Sequence, residues 1–141
     1  MSEFELLRKE VRAVASSFGI VEPTLPQSMA IPPILDEKHV LLVAPTGSGK
    51  TEAALLPIFS KLLALKEEPG IKVIYIAPLR ALNRDMLARF EQWGEKLGIS
   101  IMVRHGDTTA GERRRQSLQP PDMLITTPET LQAILPGKNF R

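Results

Sequence analysis

The sequence predicts an α/β fold with a mainly parallel sheet of about four strands, covered by helices on both faces. Short apolar runs typical of buried strands occur at residues 39–44, 71–77, 99–104 and 122–126. Each run is followed by helical spacing or a helix-capping pattern, and this alternation is typical of parallel sheets. The length of 141 residues is sufficient for one domain with its own core.

The chain is predicted to divide into an N-terminal helix, residues 1–22, and a sheet-containing domain, residues 23–141. Apolar residues recur at three- and four-residue spacing near the N-terminus, and Gly19 is expected to end that helix. They are Phe4, Leu7, Val11, Val14 and Phe18. Pro32 and Pro33 interrupt the next apolar stretch, which leaves room for only a short helix.

The later helices are indicated by periodicity and by capping residues. A helix is expected from about residue 51 to 66. The clearest helix has one apolar stripe, ends at Gly98, and has Arg80 in its first turn. The stripe comprises Leu79, Leu82, Met86, Phe90, Trp93 and Leu97. Thr109 with Glu112 has the spacing of a capping box, and Thr127 is placed to cap a helix that begins at Pro128.

Composition and charge exclude several classes of protein. The net charge is only +2, which does not by itself indicate nucleic acid. Four arginines lie close in sequence, and a solvated helix face is the favoured interpretation; they are Arg104, Arg113, Arg114 and Arg115. The absence of cysteine excludes disulfides and a cysteine nucleophile. No signal peptide or bilayer-spanning run is present, so we expect a soluble, cytoplasmic protein.

A glycine-rich loop at residues 44–51, with the sequence APTGSGKT, lies between a predicted strand and a predicted helix. This is the context that a phosphate-binding loop requires. Gly47 and Gly49 allow the backbone to curl so that successive N–H groups face phosphate oxygens. Thr46 and Ser48 complete the loop. The alternative, a glycine-rich turn that binds nothing, does not explain the strand and the helix on either side.

Lys50 and Thr51 are the residues expected to act on the triphosphate. The Lys50 ammonium can reach the β- and γ-phosphates, and the Thr51 hydroxyl can bind Mg²⁺. ATP and Mg²⁺ are therefore the predicted cofactors. Ala44 replaces the first glycine of the strict motif, but the remaining spacing is intact.

Four segments in order resemble the first RecA-like domain of a superfamily 2 helicase, near the DEAD/DEAH-box proteins. They are Gln27 and the segments 44–51 (APTGSGKT), 77–82 (APLRAL) and 126–131 (TTPETL). Residues 51–57 (TEAALLP) and 104–108 (RHGDT) are similar to the Lhr, or large helicase-related, branch. The resemblance implies a RecA-like P-loop NTPase fold, a three-layer sandwich, and an ATP-dependent helicase as the parent enzyme.

The resemblance also assigns roles to individual residues. It implies that Gln27 reads the adenine edge. In the absence of this resemblance, the preferred interpretation is a surface glutamine at the start of a helix. It implies a nucleic-acid track that contacts backbone phosphates of DNA or RNA. The track residues are Pro78, Arg80, Gly106, Thr127 and Pro128. Thr127 and Pro128 also fit an ordinary helix cap, and both interpretations can hold together.

The carboxylate pair called Walker B, which such helicases use to hold Mg²⁺, is not found after residues 126–131. Residues 36–39 (DEKH) match it by letter, but they precede the loop and indicate a polar turn. We therefore expect a partial RecA-like domain that binds nucleotide weakly and does not hydrolyse it alone. Its expected partners are the rest of the helicase, with the Walker B strand and a second RecA-like domain. Two alternatives remain, another P-loop enzyme such as a small-molecule kinase and a non-catalytic nucleic-acid-binding module.

Overall fold

The computed structural model describes residues 2–106 and 108–136, and the chain forms two compact units. The first unit is Met1–Leu65 and the second is Lys66–Arg141. None of the helices in these described ranges combines the length and apolar character needed to cross a bilayer. The boundary expected between residues 22 and 23 stays a prediction.

The first unit is helical. A 3₁₀ turn at Glu3–Leu6 precedes helix α1 (Lys9–Ser17), so the predicted first helix is interrupted near Leu7. Helix α2 (Leu25–Leu35) packs against helix α3 (Lys50–Ala64). The α3 interior supplies the largest buried side chains of this unit, among them Leu56, Phe59 and Leu62.

Helix α2 is longer than the sequence predicted, because it continues through Pro32 and Pro33. A proline removes one hydrogen bond and crowds the preceding turn. Both prolines fall in the last turn of α2, and the helix ends at once, at Leu35. Upstream of the prolines, Ala30 and Ile31 are fully buried, and this burial offsets the lost hydrogen bonds.

The strand predicted at residues 39–44 is wrong: this segment has no strand hydrogen bonding. Leu41 and Val43 are 90% and 86% exposed, whereas a strand between two neighbours was expected to be buried. A strand requires a partner, and the ladders in the described residues join only the three strands of the second unit. The apolar run therefore precedes the phosphate loop as irregular chain without a strand partner.

The second unit alternates strands and helices. Its elements are β1 (Val73–Ile76), a 3₁₀ turn (Leu79–Ala81), α4 (Arg84–Leu97), β2 (Ile101–Arg104), α5 (Ala110–Leu118), β3 (Met123–Thr126) and α6 (Pro128–Ile134). The sheet is parallel, in the order β1-β3-β2. The described residues thus contain three strands where about four were expected. β3 is central and fully buried, which agrees with its continuous apolar sequence.

The helix predicted from Leu79 starts later than expected. The chain forms the 3₁₀ turn, and then Asn83 caps α4 by accepting a 2.9 Å hydrogen bond from the Met86 N–H. Arg80 therefore lies in the 3₁₀ turn rather than in the first turn of α4, and Leu79 is exposed. The predicted end at Gly98 is confirmed, since that residue has a φ of 69°.

Asp122 links the amino ends of the three strands through hydrogen bonds. Its carboxylate accepts a 2.7 Å hydrogen bond from Lys72 Nζ and a 3.0 Å bond from the Ser100 N–H. Its backbone carbonyl also accepts from Lys72 and Val73. The residues before β1 and β2 are therefore tied to the start of β3.

Candidate functional site

The phosphate loop follows the apolar segment at residues 39–44 and leads into α3. Gly47 and Gly49 have φ values of 82° and 80°, a left-handed conformation that other residues adopt at a cost. Gly49 is the N-cap of α3, and its carbonyl accepts a 2.9 Å hydrogen bond from the Ala53 N–H. The loop thus has the curled backbone that the two glycines predicted.

Two side chains of α2 and its cap hold this loop. Thr24 Oγ1 donates to the Ser48 carbonyl at 2.8 Å, and Gln27 Nε2 donates to the Gly49 carbonyl at 3.2 Å. The Gln27 Oε1 atom accepts from the Thr24 N–H at 2.9 Å. Gln27 is only 3% exposed, so it is not the surface glutamine of the alternative interpretation.

Thr24 is the functional residue that sequence reasoning missed. It caps α2 and forms a capping box with Gln27. The spacing of a threonine three residues before a glutamine was a signal that could have identified it. The same pair that starts α2 therefore also holds the phosphate loop.

Lys50 and Thr51 begin α3 with exposed side chains. The first backbone N–H groups of a helix have no partner within that helix, and they favour a negative charge. Ser48 is held within the loop, because its Oγ donates to the Pro45 carbonyl at 2.6 Å, while Thr46 is exposed. These residues fit a triphosphate with its metal ion, since donors, a cation and a hydroxyl lie together.

Residues 36–39 form the polar turn that the sequence indicated. Asp36 and Glu37 lie in a turn, and Glu37 has a φ of 60°. Asp36 pairs with Lys38, and Glu37 pairs with Lys61. Within the described ranges, no three His, Cys, Asp or Glu residues are grouped to hold a metal.

The predicted nucleic-acid residues follow the carboxyl ends of the three strands in the second unit. Pro78 comes after β1, Gly106 after β2 and Thr127 after β3. Because the strands are parallel and aligned, these ends lie at one edge of the sheet, where α/β proteins commonly bind ligands. The structure thus brings together residues that are about 20 to 50 positions apart in sequence.

The side chains at this edge differ in exposure. Pro78, Arg80, Gly106 and Pro128 are exposed. Thr127 is 4% exposed and acts as the predicted cap, since its Oγ1 accepts a 3.2 Å hydrogen bond from the Thr130 N–H. The helix-cap interpretation of Thr127 and Pro128 is therefore confirmed.

Comparison with known proteins identifies the same family along most of the chain. A family model described as DEAD/DEAH box helicase matches residues 24–141. The ATP-dependent helicase Lhr-Core of Methanothermobacter thermautotrophicus is 42% identical over 130 residues, which are 82% of this chain and 15% of that protein. The Lhr helicase/probable uracil glycosylase of Mycolicibacterium smegmatis is 39% identical over 80% of this chain and 8% of its own.

Solved structures agree with this result. The Mycobacterium smegmatis helicase Lhr, bound to ssDNA and AMP-PNP, matches with a TM-score of 0.81 at 32% identity, over 99% of this chain and 19% of that one. The DEAD-box helicase Mss116, bound to ssRNA and UDP-BeF, matches with a TM-score of 0.76 at 26% identity, over 96% and 29%. The predicted RecA-like α/β class is confirmed.

The chain spans about 15% of the length of the Lhr-Core relative. The resemblance seen in Gln27 and in segments 44–51, 77–82 and 126–131 agrees with the family model and with the Lhr relatives. This chain belongs to the DEAD/DEAH box helicase family.

Proposed function

We propose that this chain is the ATP-binding part of an ATP-dependent helicase that acts on DNA or RNA. The observation that supports it best is the phosphate loop, which has two left-handed glycines and whose Ser48 and Gly49 carbonyls accept hydrogen bonds from Thr24 and Gln27. The loop leaves Lys50 and Thr51 exposed at the start of a fifteen-residue helix. A cytoplasmic location, where ATP and nucleic acid are both present, is part of this proposal.

In the proposed site, the ATP phosphates lie against the backbone N–H groups of the loop, and Lys50 neutralises their negative charge. Thr51 is the residue that would bind Mg²⁺ through its hydroxyl. When bound, the metal ion would neutralise charge that develops on the phosphates. Gln27 keeps one amide N–H and one acceptor lone pair beyond its two hydrogen bonds, and these can pair with adenine.

The proposed fragment binds nucleotide weakly and does not hydrolyse it alone. Hydrolysis in this class needs a carboxylate that holds Mg²⁺ and orients water. Among the described residues, no acidic side chains are grouped closely enough to do so. The carboxylates of Asp36 and Glu37 lie in a turn and form ion pairs with lysines. We propose that the remaining helicase polypeptide supplies these carboxylates and a second RecA-like domain.

Two exposed apolar segments support the proposal that further strands join this chain. Leu41 and Val43 are almost fully exposed beside the phosphate loop. On β1, Ile74 and Ile76 are 41% and 49% exposed, and within residues 2–106 and 108–136 β1 pairs only with β3. Unpaired apolar strands are unfavourable in water, so strands from the rest of the polypeptide are the proposed partners.

The proposed nucleic-acid track is the carboxyl edge of the sheet in the second unit. Arg80 is an exposed cation at this edge. Gly106 is also exposed, and because it has no side chain its backbone groups are accessible to a ligand. Contacts of this kind are made to phosphates and do not distinguish sequence. The two solved relatives were bound to ssDNA and ssRNA, and both are compatible with a backbone track.

The nucleotide part is tested by titrating the purified 141-residue chain with a fluorescent ATP analogue and Mg²⁺. We expect weak saturable binding that Lys50→Ala abolishes. We also expect no ATP turnover, with or without a single strand. Robust strand-stimulated turnover would overturn the proposal that catalytic groups are missing, and equal binding by wild type and Lys50→Ala would overturn the site.

The nucleic-acid part is tested with a labelled single strand across a range of salt. Arg80→Ala is expected to weaken binding and to reduce the slope of log affinity against log salt by about 0.7, one phosphate contact. Arg12→Ala removes an equally exposed arginine from α1 and serves as the control. Identical slopes for the two variants would contradict the track.

A further inference from the structure

Two arginines lie together at the carboxyl end of β2. Arg104 is the last residue of β2, and Arg113 is in the first half of α5. The Arg113 guanidinium reaches the Gly106 carbonyl at 3.5 Å, so it lies over the loop that follows β2. Among residues 2–106 and 108–136, neither arginine forms an ion pair with a carboxylate.

This arrangement is electrostatically unfavourable as it stands. The Arg104 Nε–H is buried and has no hydrogen-bond partner. Burial, and after it the positive charge of Arg113, lower the pKa of Arg104 from its ordinary value. An unpaired buried donor and a nearby like charge both cost free energy, and an anion bound between the two guanidinium groups would offset the like-charge repulsion.

A second polar atom without a hydrogen-bond partner lies at the same level of the sheet as Arg104. Thr126 is fully buried, and its Oγ1 makes no hydrogen bond. Thr126 is aligned with Arg104 in the parallel ladder, so the two side chains extend from the same face of the sheet. Thr126 is too deeply buried to contact a ligand, so it supplies no acceptor that would compensate the Arg104 guanidinium from this side.

The face of α5 distinguishes Arg113 from its two arginine neighbours. Gln116, three residues after Arg113, donates a 2.9 Å hydrogen bond to the Val103 carbonyl, which turns this face of α5 toward β2. Residues three apart share a helix face, whereas consecutive residues do not. Arg113 therefore shares the β2-facing side, while Arg114 is rotated away by about 100°.

We propose that Arg104 and Arg113 form a binding site for a backbone phosphodiester of a single-stranded nucleic acid. The site extends the proposed track from Gly106 along α5, and it rests on the proposed nucleic-acid function. Arg113 and Arg114 are both exposed, as the solvated-face interpretation expected, and the proposal adds a ligand for Arg113 alone.

The test uses the full 141-residue chain and a labelled 20-nucleotide single strand, with affinity measured by anisotropy at several salt concentrations. Arg113→Gln is expected to weaken binding about five-fold and to reduce the salt slope by about 0.7. Arg114→Gln, which removes the same charge one position along α5, is the matched control and should leave the slope unchanged. Arg104→Gln should reproduce the effect of Arg113→Gln, with no further loss in the double variant.

A strand with uncharged methylphosphonate linkages separates phosphate recognition from contacts to bases, and wild type and Arg113→Gln should bind it equally. Thermal denaturation checks folding, and Arg113→Gln should melt no lower than wild type because it removes a repulsion. Equal losses in Arg113→Gln and Arg114→Gln would overturn the site but leave the track tested by Arg80→Ala intact. No strand binding by wild type would overturn the track and the site together.

Discussion

Gln27 Nε2 donates a 3.2 Å hydrogen bond to the carbonyl oxygen of Gly49, the residue that precedes Lys50 in the phosphate loop. The same amide accepts from the Thr24 N–H and completes the capping box of α2. The start of α2 and the start of α3 are therefore coupled by one side chain. Gln27 therefore positions the loop, whereas its contact with adenine remains a proposal.

Gly49→Ala should destabilise the chain more than Gly47→Ala. Both residues have a φ near 80°, which costs a side chain about 1–2 kcal/mol. A Cβ at Gly49 would also collide with the Gln27 amide nitrogen, whereas a Cβ at Gly47 would meet nothing within 4 Å. Urea denaturation measures the two free energies of unfolding, and equal values would contradict the close packing of Gln27.

Gln27→Ala should remove the extra cost of Gly49→Ala. The single change is expected to lower the free energy of unfolding by about 1–3 kcal/mol, because the Gly49 carbonyl and the Thr24 N–H lose their partner. In the double variant the collision is absent, so the two effects should sum to more than the measured loss. A double-mutant cycle measures this coupling, and strict additivity would show that the two residues act independently.

Lys50→Ala should abolish nucleotide binding without lowering stability. The Lys50 side chain is exposed and has no partner among the described residues, so its loss removes no contact of the folded chain. The free energy of unfolding should change by no more than about 0.5 kcal/mol. Thermal denaturation checks this alongside the titration, and a large loss of stability would mean that Lys50 has a structural role.

Asp122→Ala should destabilise the second unit strongly, by about 3–5 kcal/mol. The Asp122 and Lys72 side chains are only 15% and 10% exposed, and the change leaves a buried ammonium and the Ser100 N–H without an acceptor. Asp36→Ala removes a pair whose side chains are about 70% exposed and is the control, expected to cost less than 1 kcal/mol. Urea denaturation followed by Trp93 fluorescence measures the unfolding of the second unit. Similar losses in both variants would contradict the stabilising role of the Asp122 hydrogen bonds.

Local signals in the sequence predicted much of the second unit. Thr109 with Glu112, Thr127 with Pro128, and Gly98 mark helix ends by chemistry that acts within four residues, and the structure has each of them. The three strands of the sheet lie within the apolar runs predicted for them. The order of helices and strands along the second unit could therefore be predicted, because each is determined by residues close in sequence.

Pairing between distant residues was not readable. The run at 39–44 has strand composition, but a strand also needs a neighbour, and its composition does not specify one. The hydrogen bond from Gln27 to Gly49 joins residues 22 positions apart, and the Arg104–Arg113 cluster depends on which face of α5 meets β2. Such relationships arise from tertiary packing, which a one-dimensional pattern does not encode.

The carboxylate of Asp122 sets the position of groups at the opposite edge of the sheet. The strands are only four residues long, so about 13 Å separates their two ends. A slip of one residue at Asp122 would shift Arg104 by about 3.3 Å along the sheet relative to Thr126. Asp122, at the amino ends of the strands, thus fixes the relative positions of the three loops that follow their carboxyl ends.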